Sequence, residues 1–236
     1  MKVLVLPALI PDIEQVYDVY FDAFTHEHMA SLLLGILFPG GITPEFRKAH
    51  TPATIDWWHK CSTQYTYKVI DAGNDGEIIG MILADCFFKE RSEEERAWLG
   101  IPWLQGEQRE RAEAVTKPLW AMREKLFGGR RYIYVHAIAI KPESQGKKAG
   151  MALILWAIEL ADRSDLPVYI ESSPSTWKLY TRVGFEVINE KLVHSKELLG
   201  TEEDIEVPLM VRMPSSANGM SFDEWRAKGY PPFEED

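Results

Sequence analysis

Tyr132-Ile-Tyr-Val-His-Ala-Ile-Ala-Ile-Lys-Pro-Glu-Ser-Gln-Gly-Lys-Lys-Ala-Gly150-Met-Ala-Leu-Ile-Leu-Trp156 is the stretch that decides the fold of this chain. It reads as an apolar strand, a short polar loop holding Gln145, Gly146 and Gly150, and a long apolar-faced helix. That order builds an anion site. The first turn of a helix has backbone N–H groups with no intrahelical partner and carries the positive end of the helix dipole, so a diphosphate fits there. Two common nucleotide loops fail on spacing. A P-loop needs Gly, four residues, then Gly-Lys-Ser/Thr. Here Gly146 and Gly150 are only four apart, and Met151 and Ala152 follow. A dinucleotide fingerprint needs a third glycine that this loop lacks.

What remains is strand, Gln145-Gly146-Lys147-Lys148-Ala149-Gly150, helix. It resembles the acyl-CoA pyrophosphate loop of the Gcn5-related N-acetyltransferases, whose usual form is Gln/Arg-x-x-Gly-x-Gly/Ala. Upstream, Ile138-Ala-Ile140-Lys-Pro142 is similar to that family's apolar-x-apolar-x-Pro strand end. Downstream come a second short strand, Leu166-Pro-Val-Tyr-Ile-Glu-Ser-Ser-Pro174, and Trp177-Lys-Leu179-Tyr180-Thr-Arg-Val-Gly184-Phe185, which fits Leu-Tyr-x-x-x-Gly-Phe. Order and spacing agree over roughly residues 132 to 190, which makes the resemblance specific. Lys148 stands where the family usually has glycine; if the loop needs a positive φ there, a lysine costs on the order of 1 kcal/mol.

The resemblance implies the fold class: α/β with a central mixed sheet and helices on both faces, the acyl-CoA N-acyltransferase fold. Its two middle parallel strands, about 132–140 and 167–172, are expected to splay apart. The pantetheine arm of acetyl-CoA, the implied co-substrate, would lie in that notch on the amides of Ile138, Ala139 and Ile140. Gln145, Gly146, Lys147, Lys148, Ala149 and Gly150 would hold the diphosphate. Ile138 and Ile140 also read as ordinary core positions of a strand. Acyl transfer to an amine needs a deprotonated nucleophile, a stabilised oxyanion and a proton for the departing thiolate. Tyr180 sits at the tyrosine that serves as general acid in many relatives, and it is expected to touch the CoA sulfur as well. His136, in His136-Ala-Ile-Ala-Ile, falls where the arylalkylamine acetyltransferases carry a histidine. A histidine side chain as such titrates near neutral pH, which suits a base. Glu171 is its rival, with Asp85 behind it. The oxyanion donor would be a strand amide near Ile138.

The 236 residues are 46% hydrophobic and 26% charged, enough for one globular domain with an insertion. The expected organisation is a domain over 1–213 with an insertion at about 89–130, and a tail over 214–236 that packs on it through its aromatic residues. A net charge of −10 argues against general nucleic-acid binding. Lys141, Lys147, Lys148, Lys178 and Arg182 make a local basic exception, and the acidic body would weakly attract a cationic amine. The two cysteines, Cys61 and Cys86, form no paired framework, which fits a reducing, cytoplasmic setting. The apolar N-terminus is broken by Pro7 and Pro11 and is too short to span a membrane. His26 and His28 lack a third ligand at recognisable spacing, so no metal is expected. They are placed on the substrate side instead.

Along the chain, strands are expected at 3–6, 65–71, 77–88, 132–140, 167–172, from 185, and at 205–213. Helices are expected from Asp12 to Phe24, from a Thr54 cap onward, over Val115–Phe127, from the loop to Asp162, and within 175–183. The reading is direct transfer of acetyl from acetyl-CoA to a primary amine of a small molecule, without a covalent enzyme intermediate, by a monomer or homodimer. A protein lysine or N-terminal amine as acceptor, and a non-catalytic acyl-CoA-binding module, stay open at this level.

Overall fold

The computed structural model describes residues 2–233; Met1 and the last three residues of the expected tail lie outside the described residues. The fold is mixed α/β, with a seven-stranded, mostly antiparallel main sheet and flanking helices. The chain divides into two compact units, Met1–Cys86 with Val135–Ala157, and Phe87–Tyr134 with Ile158–Asp236.

The first unit contains β1 (Val3–Pro7), α1 (Ile13–Thr25), α2 (His28–Leu37), α3 (Pro44–Lys60), β2 (Gln64–Asp71) and β3 (Glu77–Phe87, to Cys86 in this unit). β1 pairs antiparallel with β2 and β2 with β3, in a register that sets Gln64 opposite Asp85. Alternation along β2 and β3 gives the sheet two faces. On one, Val16, Val19 and Ala23 of α1 pack against Met81 and Ala139. On the other, Tyr67 stacks on Trp156 at 4.0 Å between ring centroids. Gly80 is required where β3 meets the strand bearing Ile140, because a Cβ there would lie 2.9 Å from the Ala139 carbonyl oxygen and collide with the Ile140 side chain.

Local chemistry moves several expected boundaries. Asp12 precedes α1, but its carboxylate accepts the Leu9 amide at 2.7 Å and pairs with Lys68 at 2.6 Å instead of capping the helix. Helix α2 was not expected; it begins at the Glu27 cap, whose side chain accepts the Ala30 amide at 2.7 Å. Helix α3 starts at the Thr43 cap with Pro44 in its first turn, so Thr54 is an interior residue and not a cap.

The second unit contains the end of β3, α4 (Gly106–Leu126), the start of β4 (Tyr132–Ile140), and the last part of α5 (Ala149–Ser164), β4 and α5 being shared with the first unit. It continues with β5 (Val168–Glu171), α6 (Trp177–Thr181), β6 (Glu186–Val187), β7 (Leu192–His194), α7 (Lys196–Leu199), β8 (Ile205–Val207), β9 (Leu209–Arg212) and α8 (Phe222–Ala227). β9 pairs antiparallel with both β5 and β6. Helix α4 begins nine residues before the expected Val115. The single last strand expected over 205–213 is two: β8 pairs with β7 in a separate small sheet, and β9 joins the main one. Pro208 separates them, since it has no N–H for a ladder, and its carbonyl accepts the Ser172 amide at 2.9 Å. The core of this unit is aromatic. Phe127 stacks on Tyr132 at 4.0 Å and meets Tyr169 and Phe222 edge-on or tilted.

Candidate active site

The loop between β4 and α5 has the form its sequence demands. Pro142–Ser144 makes a single 3-10 turn, and Gln145 returns to extended backbone with its side-chain amide donating to the Ile140 carbonyl at 3.4 Å. Gly146 then takes φ +73 and Lys148 φ +68, after which α5 begins at Ala149. Gly146 has open space around its missing Cβ, so conformation and not crowding requires glycine there. Lys148 adopts the left-handed backbone of the glycine usual at its position. Gly150 faces Ile140 at ordinary contact distance, 3.6 Å from the Cβ it lacks. The successive turns lead into a sixteen-residue helix, whose first-turn amides have no intrahelical partner. Gln145, Gly146, Lys147 and Lys148 are exposed while Ala149 is buried. Lys141, counted above with the basic run, is held by Glu77 at 2.5 Å, and that ammonium keeps the Glu77 carboxyl below its usual range.

Just upstream on β4, exposure alternates: His136 is open, Ala137 and Ala139 are buried, and Ile138 and Ile140 are intermediate. His136 reaches β3, where its Nε2 lies 2.7 Å from Asp85 Oδ2. The Asp85 side chain is 17% exposed and its other oxygen, Oδ1, accepts from the Thr63 hydroxyl at 3.0 Å. Asp85 thus meets His136 through one oxygen and Thr63 through the other. A carboxylate-held imidazole whose side chain is about a third exposed can take a proton from a neighbouring amine or water.

Tyr180 lies in α6, in the second unit. Its carbonyl accepts the amides of Val183 at 3.0 Å and Phe185 at 3.2 Å, and Gly184 takes φ +87 to turn the chain. Its ring meets Phe185 edge-on at 5.8 Å. Part of the residue is exposed, yet the protein packed around the ring pushes its hydroxyl up to about 12, so it stays protonated at neutral pH. Glu171, at the end of β5, is engaged on both oxygens. Arg123 of α4 donates to them at 2.8 and 3.0 Å, Tyr134 donates to Oε2 at 2.7 Å, and Tyr169 to Oε1 at 3.3 Å. Only 8% of its side chain is exposed. Burial raises the Tyr134 and Tyr169 hydroxyls far above the ordinary tyrosine range, so both remain donors. This arrangement suits a structural anion better than a proton acceptor. Arg123 lies 48 residues from Glu171, and no motif marks it as the partner of that carboxylate.

His26 ends α1, with Nδ1 2.7 Å from the Asp22 carbonyl, and His28 opens α2. His26 lines a pocket of about 410 Å³ in the first unit together with Asp22, Ser31, Leu34, Phe38 and Arg47, among others. Among the described residues there is no cluster of three or more His, Cys, Asp or Glu side chains that could hold a metal, and no helix long and apolar enough to cross a membrane.

Comparison with known proteins gives the family context. The sequence profile of the acetyltransferase (GNAT) family matches residues 14–185. A curated relative, "Probable acyltransferase SID5" of Ajellomyces capsulatus, is 32% identical over 123 residues, covering 52% of this chain and 85% of its own length. Among solved structures, an agmatine N-acetyltransferase aligns over 90% of this chain and all of its own, at a TM-score of 0.61 and 15% identity. A mosquito arylalkylamine N-acetyltransferase aligns over 90% and 100%, at 0.59 and 15%. A histone acetyltransferase HPA2 and related acetyltransferase from Corynebacterium glutamicum aligns over 91% and 97%, at 0.54 and 19%. These identities speak for a shared fold.

Proposed function

The chain belongs to the acetyltransferase (GNAT) family, and from that premise we propose that it transfers acetyl from acetyl-CoA directly to a primary amine of a small molecule. The observation that carries the reading is the β4–loop–α5 turn, with positive φ at Gly146 and Lys148 ahead of a sixteen-residue helix. Its fit to a diphosphate rests on first-turn amides and the helix dipole. In this reading the loop residues Gln145 to Gly150 grip the diphosphate, and the amides of Ile138, Ala139 and Ile140 align the pantetheine arm. Residues 1–213 act as one catalytic domain.

Each chemical role falls to a side chain suited to it. The acceptor arrives as an ammonium and must lose a proton before it can attack; His136, held by Asp85, takes that proton. The nitrogen lone pair then attacks the thioester carbonyl carbon, and the oxyanion is met by a strand amide near Ile138. Collapse breaks the carbon–sulfur bond, and the protonated Tyr180 hydroxyl supplies the proton that the departing thiolate needs. Glu171 remains the second candidate base, disfavoured because Arg123, Tyr134 and Tyr169 already use its oxygens. The partly open pocket of about 410 Å³ beside His26 has the size of a small acceptor.

The test begins with calorimetric titration of acetyl-CoA, with ADP as control, followed by thiol release against a panel of amines. Tighter binding of acetyl-CoA than ADP and amine-dependent thiol release are expected. His136→Ala should lower kcat by about 10²–10⁴ with acetyl-CoA affinity kept, and Tyr180→Phe should lower it in the same sense. Parent-like turnover in both variants would overturn the assigned roles, and absence of acetyl-CoA binding would overturn the reading.

A further inference from the structure

Thr63 sits in the short connection between α3 and β2, and its backbone carbonyl accepts the Cys86 amide at 2.8 Å, which fixes it beside the end of β3. From there its hydroxyl donates to Asp85 Oδ1 at 3.0 Å, while Asp85 Oδ2 lies 2.7 Å from His136 Nε2. The Cys61 thiol lies 3.5 Å from the same Thr63 oxygen. These contacts order the protons. A hydroxyl that donates to a carboxylate oxygen has spent its only hydrogen, so the Cys61 thiol is the donor to Thr63. The Asp85 carboxylate is then an acceptor at both oxygens, and the hydrogen between it and the imidazole belongs to Nε2. A neutral imidazole carries one N–H, so its basic lone pair lies on Nδ1.

We propose that Thr63 is a positioning residue for the transfer reaction: it locks Asp85, Asp85 fixes His136 as its Nε2–H tautomer, and Nδ1 is the atom that receives the acceptor's proton. The inference rests on the reading of His136 as general base. It adds to that reading the atom that acts and the residue that selects it. The proton moves from the ammonium nitrogen to Nδ1, the ring becomes an imidazolium with both nitrogens protonated, and the Asp85 carboxylate stabilises the new positive charge without itself being protonated.

Two variants and one spectroscopic readout test it. Thr63→Val keeps shape and backbone but removes the donor; losing one hydrogen bond to a charged group should lower kcat about ten- to a hundredfold, with KM for acetyl-CoA unchanged. Thr63→Ser should restore the rate. Asp85→Asn keeps the acceptor oxygen for Thr63 but can present an NH₂ to Nε2, which forces the ring proton to Nδ1. The ¹⁵N shifts of the His136 ring then decide: protonated Nε2 and unprotonated Nδ1 in the parent, the reverse in Asp85→Asn, and a tautomer mixture in Thr63→Val. A parent ring protonated at Nδ1 would overturn the proposal, as would a Thr63→Val protein with parent kcat and a single tautomer. Because the shifts are read without turnover, they are independent of the underlying reading. Parent-like activity in His136→Ala would sink the base role alone.

Discussion

Lys148 holds a backbone conformation that suits glycine, at φ +68, in the loop where this family's signature has glycine. An L-residue held in the left-handed region loses about 1–2 kcal/mol, of which a glycine would return part as added unfolded-state entropy. Lys148→Gly should therefore raise stability by about 0.5–1 kcal/mol in thermal or denaturant unfolding. Lys148→Ala keeps the strain and removes the ammonium. If Lys148→Ala weakens acetyl-CoA binding while Lys148→Gly stabilises the fold, the lysine is retained for its charge. Equal affinity in all three proteins would show that only the amide matters. The conformational demand was legible in the sequence, because the motif puts a glycine at that place. The links among Thr63, Asp85 and His136 were not, since the bond from Thr63 spans 22 residues and exists only once β2 and β3 are in register. Glu171 read as a rival base for the same reason: its occupants, Arg123 and Tyr134, come from remote segments.

Helix α3 shows how an element can carry a pH response without touching the chemistry. His50 packs in it among Tyr17, Phe21 and Phe46, at ring separations of 4.8, 5.0 and 5.6 Å, and meets Thr54 at 3.1 Å. Burial pushes it down to about 4 from an ordinary value near 6.5. The unfolded chain therefore binds a proton over that interval which the folded one refuses. The stability from a neutral His50 is complete above about pH 6.5 and is lost as the pH falls toward 4. Urea titrations at a series of pH values should show this decline, and His50→Leu should flatten it; an unchanged slope in the variant would assign the decline elsewhere. The elements themselves were unequally legible. β4 and α5 followed from period and glycine placement. Helix α2, His-Met-Ala-Ser-Leu-Leu-Leu-Gly-Ile-Leu, is apolar on nearly every side, so no amphipathic stripe announces it. The start of α3 carries its own signal, Thr43 followed by Pro44, eleven residues ahead of Thr54.

At the scale of the whole molecule, a net charge of −10 sets a field that a cationic acceptor feels before it binds. Raising ionic strength from about 20 to about 200 mM shortens the screening length severalfold and should raise KM for a cationic amine about twofold or more, with kcat unchanged. A flat KM would mean that the acidic surface does not serve capture. Composition made this property plain, because net charge is a sum over residues and needs no fold.

The division into units has an evolutionary consequence. Each unit is assembled from two separated stretches of chain, so the boundary is crossed three times between the first residue and the last. No single truncation, fusion or recombination event can donate one unit whole to another protein or delete it cleanly. Their sequences are bound to be inherited together, and variation is expected to enter as point substitutions and loop insertions within the gene, not as shuffled modules.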